Sequence, residues 1–183
     1  MRRAAVAALL VALAGCGGDD DAEDVTTTSA PDRIQLESPA FTDGGKLPAR
    51  FTCDGEGISP PLRWSGVPDS AKDLVLVAED PDVPTGAFTH WTVWKLPFQP
   101  DGQGRILEDN VAPEMEQGQN DFGDAGWGAA CPPEGDGPHH YVFTLYALNR
   151  LAELREGATA AEVRAAITAT GIAQGRLQTT FDH

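Results

Sequence analysis

Leu74-Val75-Leu76-Val77-Ala78 runs directly into Glu79-Asp80-Pro81-Asp82-Val83-Pro84. Five consecutive apolar residues read as a buried strand. The strand delivers Asp80 and Asp82 to the point where the chain is released into a loop. Functional side chains often collect at such junctions.

Further β-like runs lie outward from this one. His90 to Leu96 reads as a strand carrying Trp91 and Trp94. His140 to Leu148, rich in Tyr, Phe, Val and Leu, is the longest candidate. Turn residues punctuate the chain at Asp43-Gly44-Gly45, Asp54-Gly55, Ser59-Pro60-Pro61, Val67-Pro68-Asp69, Pro100-Asp101-Gly102 and Pro132-Pro133. One helix is clear. Thr159-Ala160-Ala161-Glu162 forms a capping box, and Val163, Ala166 and Ile167 follow at helical spacing. Thr170 suits the last turn, and Gly171 suits a left-handed residue just past it. Ala173 to Phe181 is expected to form a final strand. Many short strands around one firm helix predict a mostly-β sandwich with peripheral helices. Trp64, Trp91, Trp94 and Trp127 are expected in the core or in a pocket wall.

The N-terminus is of a different kind. Arg2 and Arg3 precede a wholly apolar stretch from Ala4 to Ala14. That stretch has the length of a signal-peptide core and falls short of the roughly 20 residues that span a bilayer. Leu13-Ala14-Gly15-Cys16 resembles a lipobox, in which a cysteine thiol takes a diacylglycerol before cleavage. Residues 1–15 are therefore expected to be a lipoprotein signal peptide. Residues 16–33 are expected to be the lipidated Cys16 with a disordered acidic tether, of Gly, Asp, Thr, Ser and Ala without apolar period. A coil of this length spans roughly 20–25 Å on average. Residues 34–183 then form one domain, expected on the extracytoplasmic face of the cell membrane.

The net charge of −15 disfavours nucleic acid and gives no attraction to anionic lipid heads. Of three cysteines, Cys53 and Cys131 remain once Cys16 carries lipid. In an oxidising compartment they can form a disulfide, or they can stand as two buried thiols.

A chemical constellation surrounds the buried strand. If residues 139 to 148 are extended, His139, Tyr141, Phe143 and Leu145 share one face. Two imidazoles and a phenol above an apolar base suit a phosphate-like anion, because each can donate a hydrogen bond. A carboxylate beside them can orient a histidine, accept from a protonated phosphate oxygen, or raise the pKa of a neighbouring imidazole. Asp80, Asp82, His90 and His139 also include zinc-ligating types, but no pair spaced as in H-E-x-x-H is present. No metal or cofactor is expected. No G-x-S-x-G elbow occurs. Cys131 with His139 could suggest a thiol nucleophile, yet Cys131 precedes two prolines, and the chain is not expected to be an enzyme.

Asp80-Pro81-Asp82-Val83-Pro84, His90-Trp91, Asn120-Asp121-Phe122-Gly123 and Cys131-Pro132-Pro133 with His139-His140-Tyr141 resemble the phosphatidylethanolamine-binding protein family. The resemblance is to its bacterial Raf-kinase-inhibitor-like branch, and Phe51-Thr52-Cys53-Asp54-Gly55 and Ser59-Pro60-Pro61-Leu62-Arg63-Trp64 fit that branch as well. It implies a β-sandwich with a large antiparallel sheet, one or two peripheral helices and a small anion pocket. Carried over by motif, the pocket residues are Asp80, Asp82, Pro84, His90, Pro133, His139 and Tyr141. His90 and His139 would be the main donors, and the prolines would stiffen the rim, a cis X–Pro bond being one way to do so. Two departures stand out. Ala129-Ala130 replace the Gly-Pro usual before the cysteine, and His140 stands where arginine is common. The implied function is a lipid-anchored module binding a small anion or phospholipid headgroup. The alternative is a protein-interaction module with an envelope protein partner, inhibiting an extracytoplasmic protease or other enzyme, because relatives inhibit kinases and a serine carboxypeptidase. A hydrolase ranks third.

Overall fold

The computed structural model describes residues 34–109 and 111–183. Cys16 and the whole expected signal peptide and tether lie outside the described residues.

The apolar run becomes the middle of strand β4 (Asp73–Asp80), and its neighbours are β5 (Phe88–Trp94) and β8 (His139–Leu148). Leu74 to Ala78 are all 0–3% exposed. A strand with a partner on each edge and a layer on each face has no solvent side, so uninterrupted hydrophobicity is what it needs. Fully burying each Val or Leu side chain contributes roughly 1.5–3 kcal/mol.

The large sheet continues with β9 (Gly171–Phe181) beyond β8 and β7 (Glu116–Gln117) beyond β5. It is antiparallel up to β2 (Gly45–Lys46), a two-residue edge strand that runs parallel to β9. A small antiparallel sheet of β1 (Gln35–Glu37), β3 (Leu62–Ser65) and β6 (Gly104–Ile106) covers one face. Leu36, Leu62, Trp64 and Ile106 from it pack with Leu74, Leu76, Trp91, Phe143 and Leu145 in the main core. The other face carries a second apolar cluster of Val75, Val77, Trp94 and Leu148 under Ala152, Ala158 and Val163. The sandwich predicted from sequence is therefore present, with, among the described residues, one helix (α1, Ala160–Thr170) and a short 3-10 turn (Ala49–Phe51).

The capping box of α1 forms as expected, with Glu162 N–H donating to Thr159 Oγ1 and Thr159 N–H to Glu162 Oε2. Gly171 departs from expectation. Its φ of −65° and ψ of 132° are extended, so β9 begins there without a left-handed residue. A side chain at this position would approach Ile167 O at 2.8 Å, and that close contact explains the glycine.

Asp73 ties the layers at one end of β4. Its buried carboxylate accepts from the backbone N–H groups of Leu74, Lys95 and Ala152 at 2.8, 3.1 and 2.9 Å. Burial pushes its pKa upward, against the lowering effect of those amides and of Lys95.

Gly104 faces Trp64 across β6 and β3. An added Cβ would fall well inside contact distance of both the Pro97 carbonyl oxygen and the indole ring, which is 3% exposed and has no room to yield. Gly104→Ala is expected to destabilise the domain by about 1–3 kcal/mol in urea unfolding. An unchanged midpoint would show that the two sheets can move apart.

Candidate functional site

β4 and β8 pair antiparallel from Asp73↔Leu148 to Glu79↔Val142, so the C-terminal end of one meets the N-terminal end of the other. Asp80, His139 and Tyr141 thereby come together, at 3, 7 and 1% exposure. His139 Nδ1–H donates to Asp80 Oδ2 at 2.6 Å, while Asp80 Oδ1 accepts from Asp82 N–H at 2.8 Å. Both oxygens of the buried carboxylate are thus engaged from within the protein.

His90 reaches the same site by a different device. Ala78 pairs with Trp91, but Glu79 pairs with Thr89, which leaves His90 as the extra residue of a β-bulge. Bulges re-aim side chains. Here the bulge lets His90 and Trp91, adjacent in sequence, both turn toward the main-core face: the His90 ring lies 5.1 Å from Tyr141, and Trp91 packs in the main core. His90 Nδ1–H donates to the Gly128 carbonyl at 2.7 Å. Among the described residues, neither His90 Nε2 nor His139 Nε2 has a hydrogen-bond partner. Desolvation lowers the His90 pKa, partly opposed by Gly128, Asp80 and Asp121, with His139 adding to the lowering. The imidazole is therefore neutral at pH 7, with its proton on Nδ1 and its lone pair on Nε2.

The Tyr141 hydroxyl is buried without a completed hydrogen bond. Burial, followed by the charges of Asp80 and Asp82, raises its pKa, with a small opposing contribution from the Cys131 amide. Its proton stays in place and is available to an acceptor. Outside the buried group, Asp82 Oδ2 accepts from His140 N–H and Nδ1–H at 2.7 and 2.8 Å. Partial burial opposes the shift, but the His140 amide and imidazole together hold Asp82 below the usual carboxylate range.

Five of the seven carried-over residues thus form one connected group. Pro84 and Pro133 stand exposed on the loops that leave β4 and enter β8. Among the described residues no peptide bond is cis, so the rim prolines act in trans. Cys53 and Cys131 are joined as a disulfide, which resolves the open alternative and pins the loop before β8 to residue 53. Closing a loop of 78 residues restricts the unfolded chain by about 4 kcal/mol in the chain-entropy account. Ala130 is wholly buried, and its carbonyl accepts from Cys53 N–H at 3.0 Å, so the departing Ala129-Ala130 pair still supports the rim.

Sequence reasoning placed Trp127 in the core or a pocket wall and missed Phe88 and Phe122 beside it. Phe88, Phe122 and Trp127 surround His90 at centroid distances of 5.1, 5.6 and 5.8 Å. Phe122 is held by an Asx turn, in which Asn120 Oδ1 accepts from its N–H at 3.0 Å, and it remains 54% exposed. The signal was available in part, because Phe88 and His90 are two apart on one strand. Two open depressions lie elsewhere, about 870 Å³ over the small sheet beside Arg63 and Arg105, and about 380 Å³ beside α1. Neither is lined by a buried titratable group, so size alone would misplace the site.

The fold and this site define a phosphatidylethanolamine-binding protein: residues 37–182 match the model of that family, and the chain belongs to it. Among its relatives is a UPF0098 protein of Methanothermobacter thermautotrophicus, 43% identical over 150 residues, covering 79% of this chain and 95% of the relative. A Mycobacterium tuberculosis protein named "Putative lipoprotein LppC" is 37% identical over 189 residues, covering 96% of this chain and 92% of that one. The crystal structure of Escherichia coli YbcL, described as a member of the mammalian PEBP family, superposes with a TM-score of 0.76 at 32% identity. It covers 82% of this chain and 99% of that one.

The depressed His90 pKa has a definite sign for stability. On acidification the unfolded chain takes up the proton first, so this contribution is complete above about pH 6.5 and is lost as pH falls toward the folded value. An NMR titration is expected to place the His90 midpoint below about 6.5 in the ligand-free protein. A midpoint at or above that value would contradict the buried neutral imidazole.

Proposed function

We propose that this protein is a lipid-anchored, extracytoplasmic binding module whose pocket of Asp80, Asp82, His90, His139 and Tyr141 takes a small phosphate-bearing anion or a phospholipid headgroup. The observation that carries this reading is the buried Tyr141 hydroxyl, which lacks a completed hydrogen bond and lies beside two imidazoles whose Nδ1 atoms are already engaged. A buried donor left unmatched costs about 1–3 kcal/mol, and an acceptor oxygen of a ligand would remove that cost.

The carboxylate serves orientation. Asp80 is occupied by His139 and by the Asp82 amide, so it presents no free oxygen to repel an anion. Neutral His90 offers Nε2 as an acceptor until it is protonated. A phosphate bearing its own proton can donate to that nitrogen, whereas a fully ionised one must draw a proton onto it. Binding of an ionised phosphate is therefore coupled to proton uptake, and binding of a protonated one is not.

Lipid attachment at Cys16 is supported by the lipobox-like stretch and by the name of the mycobacterial relative. Among the described residues no helix is long and apolar enough to cross a membrane. An envelope protein partner is a second reading, favoured by Phe122, whose exposed ring beside His90 offers an aromatic contact at the rim.

Titration with inorganic phosphate or phosphoethanolamine at millimolar concentration is expected to shift the imidazole resonances of His90 and His139 and to raise the His90 midpoint. His139→Ala is expected to weaken binding by at least about tenfold. Unperturbed histidines at saturating ligand would sink the proposed pocket. Separately, Cys16→Ala is expected to move the protein from the membrane fraction to the soluble one, and its retention on membranes would rule out the thiol anchor.

A further inference from the structure

A second cluster of ligating side chains lies outside the pocket. His183 Nε2 stands 3.5 Å from Cys53 Sγ and 3.7 Å from Cys131 Sγ, on the solvent side of the disulfide. Its other ring nitrogen, Nδ1, is 3.2 Å from Asp54 Oδ1. The ring also packs edge-on against Phe181, with centroids 5.6 Å apart. Among the described residues this is the one group in which three Cys, His, Asp or Glu ligand atoms lie within 4.8 Å of one another.

These separations match a metal site. Tetrahedral zinc, with bonds of about 2.3 Å to sulfur and about 2.0 Å to nitrogen, holds N and S about 3.5 Å apart. Both N···S edges already have that length. Only the S···S edge must open, to about 3.8 Å. The Cα atoms of the two cysteines are 5.4 Å apart, so side-chain rotation can supply the change once the bond is broken. Asp54 supplies what zinc-bound imidazoles regularly have, a carboxylate on the far ring nitrogen that fixes the tautomer and aims Nε2 at the metal. Two soft thiolates and an imidazole favour zinc over magnesium or calcium.

We propose that the reduced form of the Cys53–Cys131 pair is a zinc site, with both thiolates and His183 Nε2 as ligands, Asp54 as the orienting residue, and water in the fourth, solvent-facing position. A dithiol reductant supplies the two electrons and two protons that convert the disulfide to two thiols, and is itself oxidised to a disulfide. Zinc then displaces the two thiol protons. The metal would take over the role of the covalent bond, keeping the loop before β8 fixed to residue 53 under reducing conditions. The inference does not depend on what the anion pocket binds.

The test uses the whole mature chain, reduced with a phosphine, freed of reductant without oxygen and given one equivalent of zinc or cobalt(II). The reduced protein is expected to retain one zinc per chain through gel filtration and to give a thiolate-to-cobalt charge-transfer band. The oxidised protein should do neither. His183→Ala, an exposed change that removes no core group, is expected to weaken zinc binding by at least tenfold, and Asp54→Asn by about tenfold. Absence of stoichiometric zinc in the reduced chain, or a His183→Ala affinity equal to that of the parent, would overturn the proposal.

Discussion

The antiparallel register of β4 against β8 is the constraint on which the rest of the molecule depends. Both strands are central and covered on both faces, so a slip of one residue would turn each side chain to the wrong layer. Asp73 pins one end of this pair through three backbone amides from β4, the end of β5 and the segment before α1. At the other end the same register sets Asp80 against His139 and Tyr141. The meeting of these side chains is thus an end product of core packing. Asp80, His90, His139 and Tyr141 are carried by strands, and Asp82 lies on the loop after β4.

Burying a carboxylate is unfavourable unless its charge is matched. Asp80 satisfies that condition with an amide on one oxygen and an imidazole N–H on the other. His90 uses the same strategy with a neutral acceptor, the Gly128 carbonyl. Each histidine is held by Nδ1, which leaves Nε2 for chemistry. The two rings differ in what holds them, a charge for one and a dipole for the other. Desolvation among aromatic rings lowers the His90 pKa.

The rim is built from separate parts that meet around this pair. The Asp82–His140 contact lies at its outer edge, where an arginine would have given a permanent charge and histidine gives one that depends on pH. The Asn120 turn places Phe122, and the disulfide holds the loop that carries Pro132 and Pro133.

Several features were legible in the residues alone. The uninterrupted run from Leu74 to Ala78 could only be a strand without a solvent face, and the two-residue period from His139 to Leu145 already placed imidazole and phenol on one side. The capping box at Thr159 is a local interaction, and it forms as its spacing requires. Other features depend on contacts between distant segments. The bulge at His90 arises from pairing with β4, and no local pattern announces the extra residue. Gly171 resembles a left-handed cap by type, yet it is extended because β9 starts at once and Ile167 crowds the position. The joining of Cys53 to Cys131, and the arrival of His183 beside them, bring together residues separated by 78 and 52 positions in the chain. Periodicity determined which way side chains point within a strand, because that depends only on backbone pleat. Which strands and loops meet depends on burying both faces of the sheet at once, and only the tertiary structure decided that.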